Sequence, residues 1–221
     1  MEIVTVQNLK KYFGEGPRQV KAVDGIDLSI EKGKLTAIIG ASGSGKTTLL
    51  NLIGGLYPPT EGTVTVDGVD LSSLGEEERT VFRRRRVGFV FQDNRLLPEL
   101  TVRENILLPL ALDGSRPDGA FFAELTKWLG LGNKLDAFPH MLSGGGQQCA
   151  AIARALITRP SILLADEPTG SFDAKTSQNV AGLLKMTVDV FHQTLVMITH
   201  NPELAQLADR VVRLRDGRVV K

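Results

Sequence analysis

The sequence predicts an α/β fold: a mostly parallel sheet covered by helices, with an antiparallel β part near the N-terminus and a helical subdomain. A glycine-rich loop follows a short β-branched strand and opens a helix. Strands and helices alternate over the last third of the chain, which favours a parallel sheet with helices on both faces. Before this region, residues 101–158 have a helical pattern interrupted at 113–118 and 130–142, which indicates a distinct subdomain.

The N-terminal part is predicted to be mainly β structure. Strands are expected at residues 2–9 and 20–30, and residues 10–17 between them have the composition of a turn-rich loop. Two shorter strands are expected at 63–66 and 69–71. The Asp67-Gly68 dipeptide between them is a hairpin-type turn, which joins antiparallel strands.

The glycine loop at Gly40–Thr47 has the pattern G-x-x-x-x-G-K-[ST] of a phosphate-binding loop. The apolar run 35–39 before it predicts a strand, and residues 48–53 after it predict a helix. Loop amides and the positive helix end favour a bound polyphosphate, while Lys46 reaches the β- and γ-phosphates and Thr47 binds Mg²⁺. The alternative is a chance match in a glycine turn. The residues expected to bind the nucleotide are Gly40, Ala41, Ser42, Gly43, Ser44, Gly45, Lys46, Thr47 and Thr48.

Four consecutive arginines at 83–86 precede a predicted strand at 86–92. Such a run can form a patch for phosphate or a partner, but a solvated turn is the favoured interpretation. Further along, Thr101 and Glu104 form a capping box that predicts the start of a helix.

A second glycine loop spans Leu142–Gln148 and opens the helical run 149–157. Three glycines after Ser143 make a second anion-binding helix end. Because one domain rarely needs two such sites for one nucleotide, we expect each loop to serve a different nucleotide shared across a dimer. The alternative is a flexible glycine turn that Ser143 caps.

Asp166 and Glu167 end an apolar strand expected at 161–167. Ligands of parallel α/β sheets bind at this carboxyl edge, so Asp166 is expected to hold Mg²⁺ and Glu167 to polarise the attacking water. The alternative is an exposed acidic loop.

The elements predicted for the rest of the chain are a helix at about 174–190, a strand at 194–199, a helix from Asn201 and a strand at 210–214. His200 follows the penultimate strand at the same edge, where a functional role is favoured over that of a core histidine.

Composition limits the classes of function. The 221 residues carry a formal net charge of +1, so no global basic field indicates nucleic acid. One cysteine excludes an intramolecular disulfide and fits a reducing compartment. The N-terminal residues alternate like a strand and not like a signal peptide. No apolar run approaches the ~18–20 residues that span a bilayer.

Taken together, these motifs resemble those of the ATP-binding-cassette ATPase subunits of membrane transport complexes. The phosphate loop, the second glycine loop as signature motif, the acidic strand end and His200 occur in the family's order, over essentially the whole chain. The stretches 53–56, 88–92 and 104–110 resemble one branch. It contains lipoprotein-releasing, macrolide-exporting and peptide-antibiotic-resistance ATPases and a cell-division relative, whose members act with membrane subunits mainly by mechanotransmission.

The resemblance implies a P-loop NTPase core and roles for further residues. Tyr12 matches the aromatic that stacks on adenine, although an aromatic with a packing role is the alternative. Gln92 matches the glutamine that joins the helical subdomain to the metal site, and Ser171-Phe172-Asp173 resembles the loop usually written S-L-D. The implied catalytic residues are Glu167, His200 and Gln92, and the implied metal-binding residues are Thr47, Gln92 and Asp166.

The resemblance also implies a mechanism with ATP and Mg²⁺. Two copies would close head to tail over two ATP molecules, so that Ser143, Gly144 and Gly145 of one copy cap the γ-phosphate held by the other. Residues 1–221 would form a single domain: a nucleotide-binding core of residues 1–94 and 159–221, with a helical subdomain of 95–158 carrying the signature motif.

Two positions depart from the family pattern. Gly146 stands where the family usually has glutamate or glutamine, and Cys149 where it usually has arginine. Glycine in the first turn of a helix loosens it by about 0.5–1 kcal/mol relative to alanine. We therefore expect slower ATP hydrolysis than in a version with glutamate at position 146.

The leading prediction is an ATPase that drives a membrane transporter or mechanotransmission complex. Its expected partners are a second copy and integral membrane subunits, not nucleic acid, and its expected location is the cytoplasmic face of the membrane. An ATP-dependent regulatory module that transports nothing is the alternative. A chromosome-organising ATPase is disfavoured, because no sustained heptads separate the phosphate loop from the acidic strand end.

Overall fold

Two sheets, one antiparallel and one mostly parallel, make up the β structure. The computed structural model describes residues 1–170 and 172–220, so the interpretation of Ser171 lies outside the described residues. The strands are β1 (Glu2–Phe13), β2 (Val20–Glu31), β3 (Leu35–Ile39), β4 (Glu61–Val66), β5 (Val69–Asp70), β6 (Val87–Phe91), β7 (Ile162–Asp166), β8 (Thr194–Ile198), β9 (Arg210–Arg215) and β10 (Arg218–Val220). The α-helices are α1 (Lys46–Ile53), α2 (Glu76–Arg86), α3 (Val102–Asp113), α4 (Gly119–Trp128), α5 (Gly144–Leu156), α6 (Ala174–Phe191) and α7 (Pro202–Ala205).

The larger sheet has the strand order β10-β9-β3-β8-β7-β6 and is parallel except for β10. In its register, Phe91 lies opposite Asp166 and Asp166 lies opposite Ile198. The residues that follow β6, β7 and β8 therefore emerge side by side at one edge. This register brings three of the predicted motifs to the same place and confirms the mostly parallel sheet.

Both faces of this sheet are buried. Ile162 and Leu164 of β7 belong to one apolar core together with α1 and the antiparallel sheet, whereas Leu163 and Ala165 belong to a second core with helices α3 to α6. Alternate side chains of a strand point to opposite faces, so helices and sheet cover β7 on both sides. This burial explains the uninterrupted apolar run that precedes the two carboxylates.

The antiparallel sheet has the order β2-β1-β4-β5. The prediction of a loop at residues 10–17 is wrong in its first half, because β1 continues to Phe13. Lys10 pairs with both Asp24 and Glu61, and Tyr12 pairs with Lys21. Pairing with β2, and at Lys10 also with β4, stabilises strand structure where the local sequence indicated a turn. A 3-10 helix follows at Gly16–Arg18.

The solvated turn predicted for the arginine run is also wrong, since these arginines form the last turn of α2. Three glutamates begin this helix and four arginines end it, which suits the helix dipole. Arg83 donates to the carbonyl oxygen of Gly55 (2.9 Å), and Arg85 pairs with Asp113 at the end of α3 (2.9 Å). These arginines hold α2 to the core and to the helical segment.

The helical segment follows the prediction closely. Thr101 caps α3, and its partner Glu104 accepts from the Thr101 amide at 2.8 Å. The described residues of 95–158 form helices and loops without a strand. Helix α5 shares its core with the sheet as well as with α3, so it belongs to the layer beside the sheet. The division at 95–158 stays a prediction.

Candidate nucleotide-binding site

A cavity of about 1260 Å³ opens at the carboxyl edge of the parallel sheet. It is lined by the phosphate loop and by the segments that follow β6, β7 and β8. Its lining residues are Val20, Lys21, Ala22, Gly40, Ser42, Gly43, Gly45, Lys46, Thr47, Thr48, Phe91, Gln92, Asp93, Arg95, Asp166, Glu167, His200, Asp216 and Gly217. The structure thus brings together the predicted phosphate, metal and water-activating residues.

The phosphate loop requires glycine at two positions. A Cβ at Gly40 would overlap the carbonyl oxygen of Leu214, and a Cβ at Gly45 would overlap that of Ala22; both residues also have positive φ. Only glycine lets the loop lie this close to the neighbouring backbone. The loop leads directly into α1, so its amides and the positive helix end face the cavity.

Lys46 is largely buried, and its ammonium donates to the carbonyl oxygens of Gly40 (2.9 Å) and Ala41 (2.8 Å). The Ser44 hydroxyl is buried and has no hydrogen-bond partner among the residues that the structure describes. Neither Ala41 nor Ser44 lines the cavity, and both accept hydrogen bonds through their carbonyl oxygens, from the Lys46 ammonium and the Gly217 amide respectively. A glycine cradle, a lysine held over it and amides at a helix end fit a polyphosphate.

The candidate metal site consists of Thr47 and Asp166, whose hydroxyl and carboxylate oxygens are 3.3 Å apart. Burial raises the pKa of Asp166, and the Thr47 hydrogen bond opposes that shift. A cation bound beside Asp166 would also lower this pKa and so favour the charged carboxylate. Among the described residues no group of three or more His, Cys, Asp and Glu could hold a metal. The pair fits Mg²⁺, which takes few protein ligands and shares phosphate oxygens.

Glu167 and His200 meet at the same edge. The Glu167 carboxylate contacts Nδ1 of His200, and the Glu167 amide donates to the carbonyl oxygen of Ile198 at 3.1 Å. Glu167 has φ 49°, a left-handed conformation that costs a non-glycine residue about 1–2 kcal/mol. This backbone turns the carboxylate toward the cavity, beside an exposed imidazole.

The Gln92 segment joins the cavity to α5. Gln92 lines the cavity, while Gln148 of α5 donates to the carbonyl oxygen of Phe91 at 3.0 Å. Arg154 of α5 donates to the carbonyl oxygens of Asn94 (2.7 Å) and Arg95 (2.6 Å). A movement of α5 would therefore move the segment that contains Gln92.

The second glycine loop lies elsewhere on the same chain. Ser143 caps α5 by accepting from the Gly146 amide at 3.2 Å. Ser143, Gly144 and Gly145 line a different cavity of about 440 Å³, and within residues 1–170 and 172–220 the two cavities share no lining residue. One chain therefore carries its two glycine loops in two different cavities.

Tyr12 is not among the residues that line the large cavity. Its hydroxyl donates to Asp24 at 2.5 Å, and the Lys21 ammonium, which belongs to a lining residue, lies 5.3 Å from the ring centre. Sequence reasoning missed the turn of Asp216 and Gly217, which does line the cavity. Aspartate–glycine between β9 and β10 is a hairpin signal that could have indicated it.

The fold and the site define an ATPase of the phosphate-loop class. The family model described as ABC transporter matches residues 23–170. The chain therefore belongs to the ABC transporter family. It is an ATP-hydrolysing subunit of a membrane transporter of this family.

Similar proteins agree with this membership. The chain is 46% identical over 220 residues to the lipoprotein-releasing system ATP-binding protein LolD of Geobacter metallireducens, covering 99% of this chain and 98% of that protein. It is 45% identical over 224 residues to the macrolide export ATP-binding/permease protein MacB of Rhodopirellula baltica, of which it spans 33%. A dimeric post-hydrolysis structure of the ATP-binding cassette MJ0796 with ADP and Pi superposes with a TM-score of 0.88 at 39% identity, covering 99% and 97% of the two chains.

The described residues contain no helix long and apolar enough to cross a membrane.

Proposed function

We propose that two copies of this chain close head to tail over two ATP molecules and transmit the closure to integral membrane subunits. The separation of the two glycine loops into different cavities carries this proposal. In a head-to-tail pair, Ser143, Gly144 and Gly145 of one copy would cap the phosphate held by the Lys46 of the other. Related structures described as dimeric support the arrangement.

The residues of the large cavity divide the chemistry among them. Lys46 would exchange its bonds to loop carbonyls for bonds to the terminal phosphates, which are charge-assisted and stronger. Thr47 and Asp166, with Gln92, would hold Mg²⁺, which neutralises charge on the phosphate oxygens. Glu167 would accept a proton from the attacking water, and His200 would orient the carboxylate that it contacts.

Membership of the family supports a proposal for the membrane partners and for the location. The LolD relative is named for lipoprotein release and the MacB relative for macrolide export, and MacB combines ATP-binding and permease parts in one name. We propose that this chain binds separate integral membrane subunits at the cytoplasmic face of the membrane. The formal net charge of +1 supports a partner other than nucleic acid.

A mixing experiment tests the shared site. Lys46→Ala disables the phosphate loop, and Ser143→Arg disables the capping loop. Each variant alone is expected to be inactive. In a head-to-tail heterodimer of the two variants, one of the two sites combines an intact phosphate loop with an intact capping loop. Random pairing in a 1:1 mixture makes half of the dimers heterodimers, so up to about a quarter of the native ATPase rate is recovered.

The control for this experiment mixes Lys46→Ala with Glu167→Gln. Both changes lie in the same half of the site, so every heterodimer has two damaged sites and the rate stays at background. Recovery in the control, or no recovery in the first mixture, would contradict a site shared between copies. In a separate assay, ATP hydrolysis by the native chain that drives no transport by the membrane subunits would favour the regulatory alternative.

A second prediction concerns Gly146 in the first turn of α5. A Cβ atom fits here, because it would lie 3.4 Å from atoms of Leu142 and Ser143, at ordinary contact distance. Gly146→Glu is expected to raise the ATPase rate at saturating ATP about 2- to 5-fold, since it stiffens the helix and places a carboxylate at its positive end.

Two controls separate the causes. Gly146→Ala stiffens the helix without adding charge. Gly182→Glu changes a glycine of α6 that has open space around it, and it should leave the rate unchanged. No increase with Gly146→Glu would show that the glycine does not limit hydrolysis.

A further inference from the structure

We propose that Asp24, held by Arg218, is a positioning residue that fixes Tyr12 and thereby sets the affinity for the base of the nucleotide. This inference rests on the proposed ATP site and on the stacking role that the family resemblance implies for Tyr12. The three side chains come from β1, β2 and β10, and therefore from both sheets of the protein.

The contacts form a continuous chain. The Tyr12 hydroxyl donates to one oxygen of Asp24 at 2.5 Å, and the Arg218 guanidinium donates to the other at 2.8 Å. Each oxygen of the carboxylate thus has its own donor. A tyrosine whose hydroxyl is bound loses freedom before the ligand arrives, which reduces the entropy lost on binding.

The same hairpin also holds the phosphate loop. The Gly217 amide donates to the carbonyl oxygen of Ser44 at 3.1 Å, and the Gly217 carbonyl accepts from the Asp24 amide at 2.8 Å. Gly217 has φ 74°, and a Cβ there would lie 3.1 Å from the carbonyl oxygens of Lys21 and Ala22. The turn between β9 and β10 therefore fixes the distance between the phosphate side and the Tyr12 side of the cavity.

The Tyr12 ring lies beside Lys21, a residue that lines the cavity. Lys21, whose ammonium is 5.3 Å from the ring centre, lines the cavity together with Val20 and Ala22. A base that stacked on the ring from the cavity would take the place of this ammonium. The orientation of the ring, set by its hydroxyl, determines whether its face is available.

The charge states support a fixed arrangement. The Tyr12 hydrogen bond, followed by that of Arg218, lowers the pKa of Asp24 to about 2, and the bond to Asp24 raises the pKa of Tyr12. Lys21 also favours the carboxylate, and Arg218 has a raised pKa. Because the pKa of Asp24 is lowered, the stabilisation from its hydrogen bonds with Tyr12 and Arg218 is fully present at a pH above the ordinary pKa of aspartate. It is lost only as the pH falls through about 2.

The test compares ATP with inorganic tripolyphosphate, which lacks the base, by calorimetry on the full chain. Asp24→Leu and Tyr12→Phe are each expected to weaken ATP binding about 3- to 10-fold, while tripolyphosphate binding stays unchanged. The double variant should bind ATP no more weakly than either single variant, because both remove the same contact. Arg218→Met should act in the same direction and provides a second variant if Asp24→Leu folds poorly.

Glu61→Leu is the matched control, because it breaks a neighbouring ion pair with Lys10 on the same sheet without touching Tyr12. It should leave ATP affinity unchanged. Equal weakening of ATP and tripolyphosphate binding by Asp24→Leu would assign a merely structural role to Asp24 and overturn the inference.

Tyr12→Ala separates the stacking role of Tyr12 from the positioning role of Asp24. If Tyr12→Ala weakens ATP binding but Asp24→Leu and Arg218→Met do not, the stacking role stands and the positioning role fails. If Tyr12→Ala has no effect on ATP binding, the stacking role itself fails, and the positioning role with it.

Discussion

Glu167→Gln is expected to lower the ATPase rate about 10²- to 10⁴-fold while ATP affinity stays unchanged. Glutamine keeps the shape of glutamate and can still contact His200, but it cannot accept a proton from water. The left-handed backbone at Glu167 does not depend on the carboxylate. Neither does the hydrogen bond from the Glu167 amide to the carbonyl oxygen of Ile198. The variant should therefore retain the geometry of the site and lose only the base.

Because hydrolysis would no longer reopen the dimer, Glu167→Gln with ATP should elute as a stable dimer in size-exclusion chromatography with light scattering. Steady-state phosphate release measures the turnover. Glu203→Gln is the matched control, since Glu203 is an exposed carboxylate in α7 outside the cavity lining, and its rate should be native. Native turnover in Glu167→Gln would show that another group activates the water.

Lys46→Ala is expected to weaken ATP binding about 100-fold or more, since hydrogen bonds to charged groups contribute about 1.5–3 kcal/mol each. The ammonium lies over the glycine loop, with Gly40 and Ala41 as its present acceptors. No other lysine of the phosphate loop can replace it, because the loop contains only this one. Isothermal calorimetry with ATP and Mg²⁺ measures the change.

The matched control for this variant is Lys34→Ala, which removes an exposed lysine just before β3. It should bind ATP normally. Thermal unfolding of both variants would show that the fold persists, and binding to Lys46→Ala at native affinity would mean that the phosphates lie elsewhere.

Local patterns were enough to predict most elements of the fold. The helix after the phosphate loop, the capped start of α3 and the apolar strand before Asp166 all have signals within a few residues. The errors occurred where distant contacts overrule local composition. Lys10 to Phe13 form strand because all four residues pair with β2 and Lys10 also pairs with β4. The arginine run ends a helix that three glutamates begin.

The candidate site divides in the same way. Lys46, Thr47, Asp166, Glu167 and His200 could be named from the sequence, because each follows or opens a recognisable element. Their roles stay predictions, although the structure brings them to one cavity. The hairpin of Asp216 to Arg218 was missed as part of the site, since its relation to the phosphate loop depends on strand pairing over more than 170 residues.

The sequence by itself determined the phosphate loop, the acidic strand end and the serine-capped glycine helix, because glycine conformations, strand ends and helix caps are local properties of the chain. Only the tertiary structure decided that the two glycine loops lie in separate cavities and that Arg218 reaches Asp24 beside Tyr12. These relations depend on the order and register of strands in two sheets. Burial of both sheet faces favours that order. The free energy of this burial comes from residues far apart in the sequence, so no short stretch of the chain reveals it.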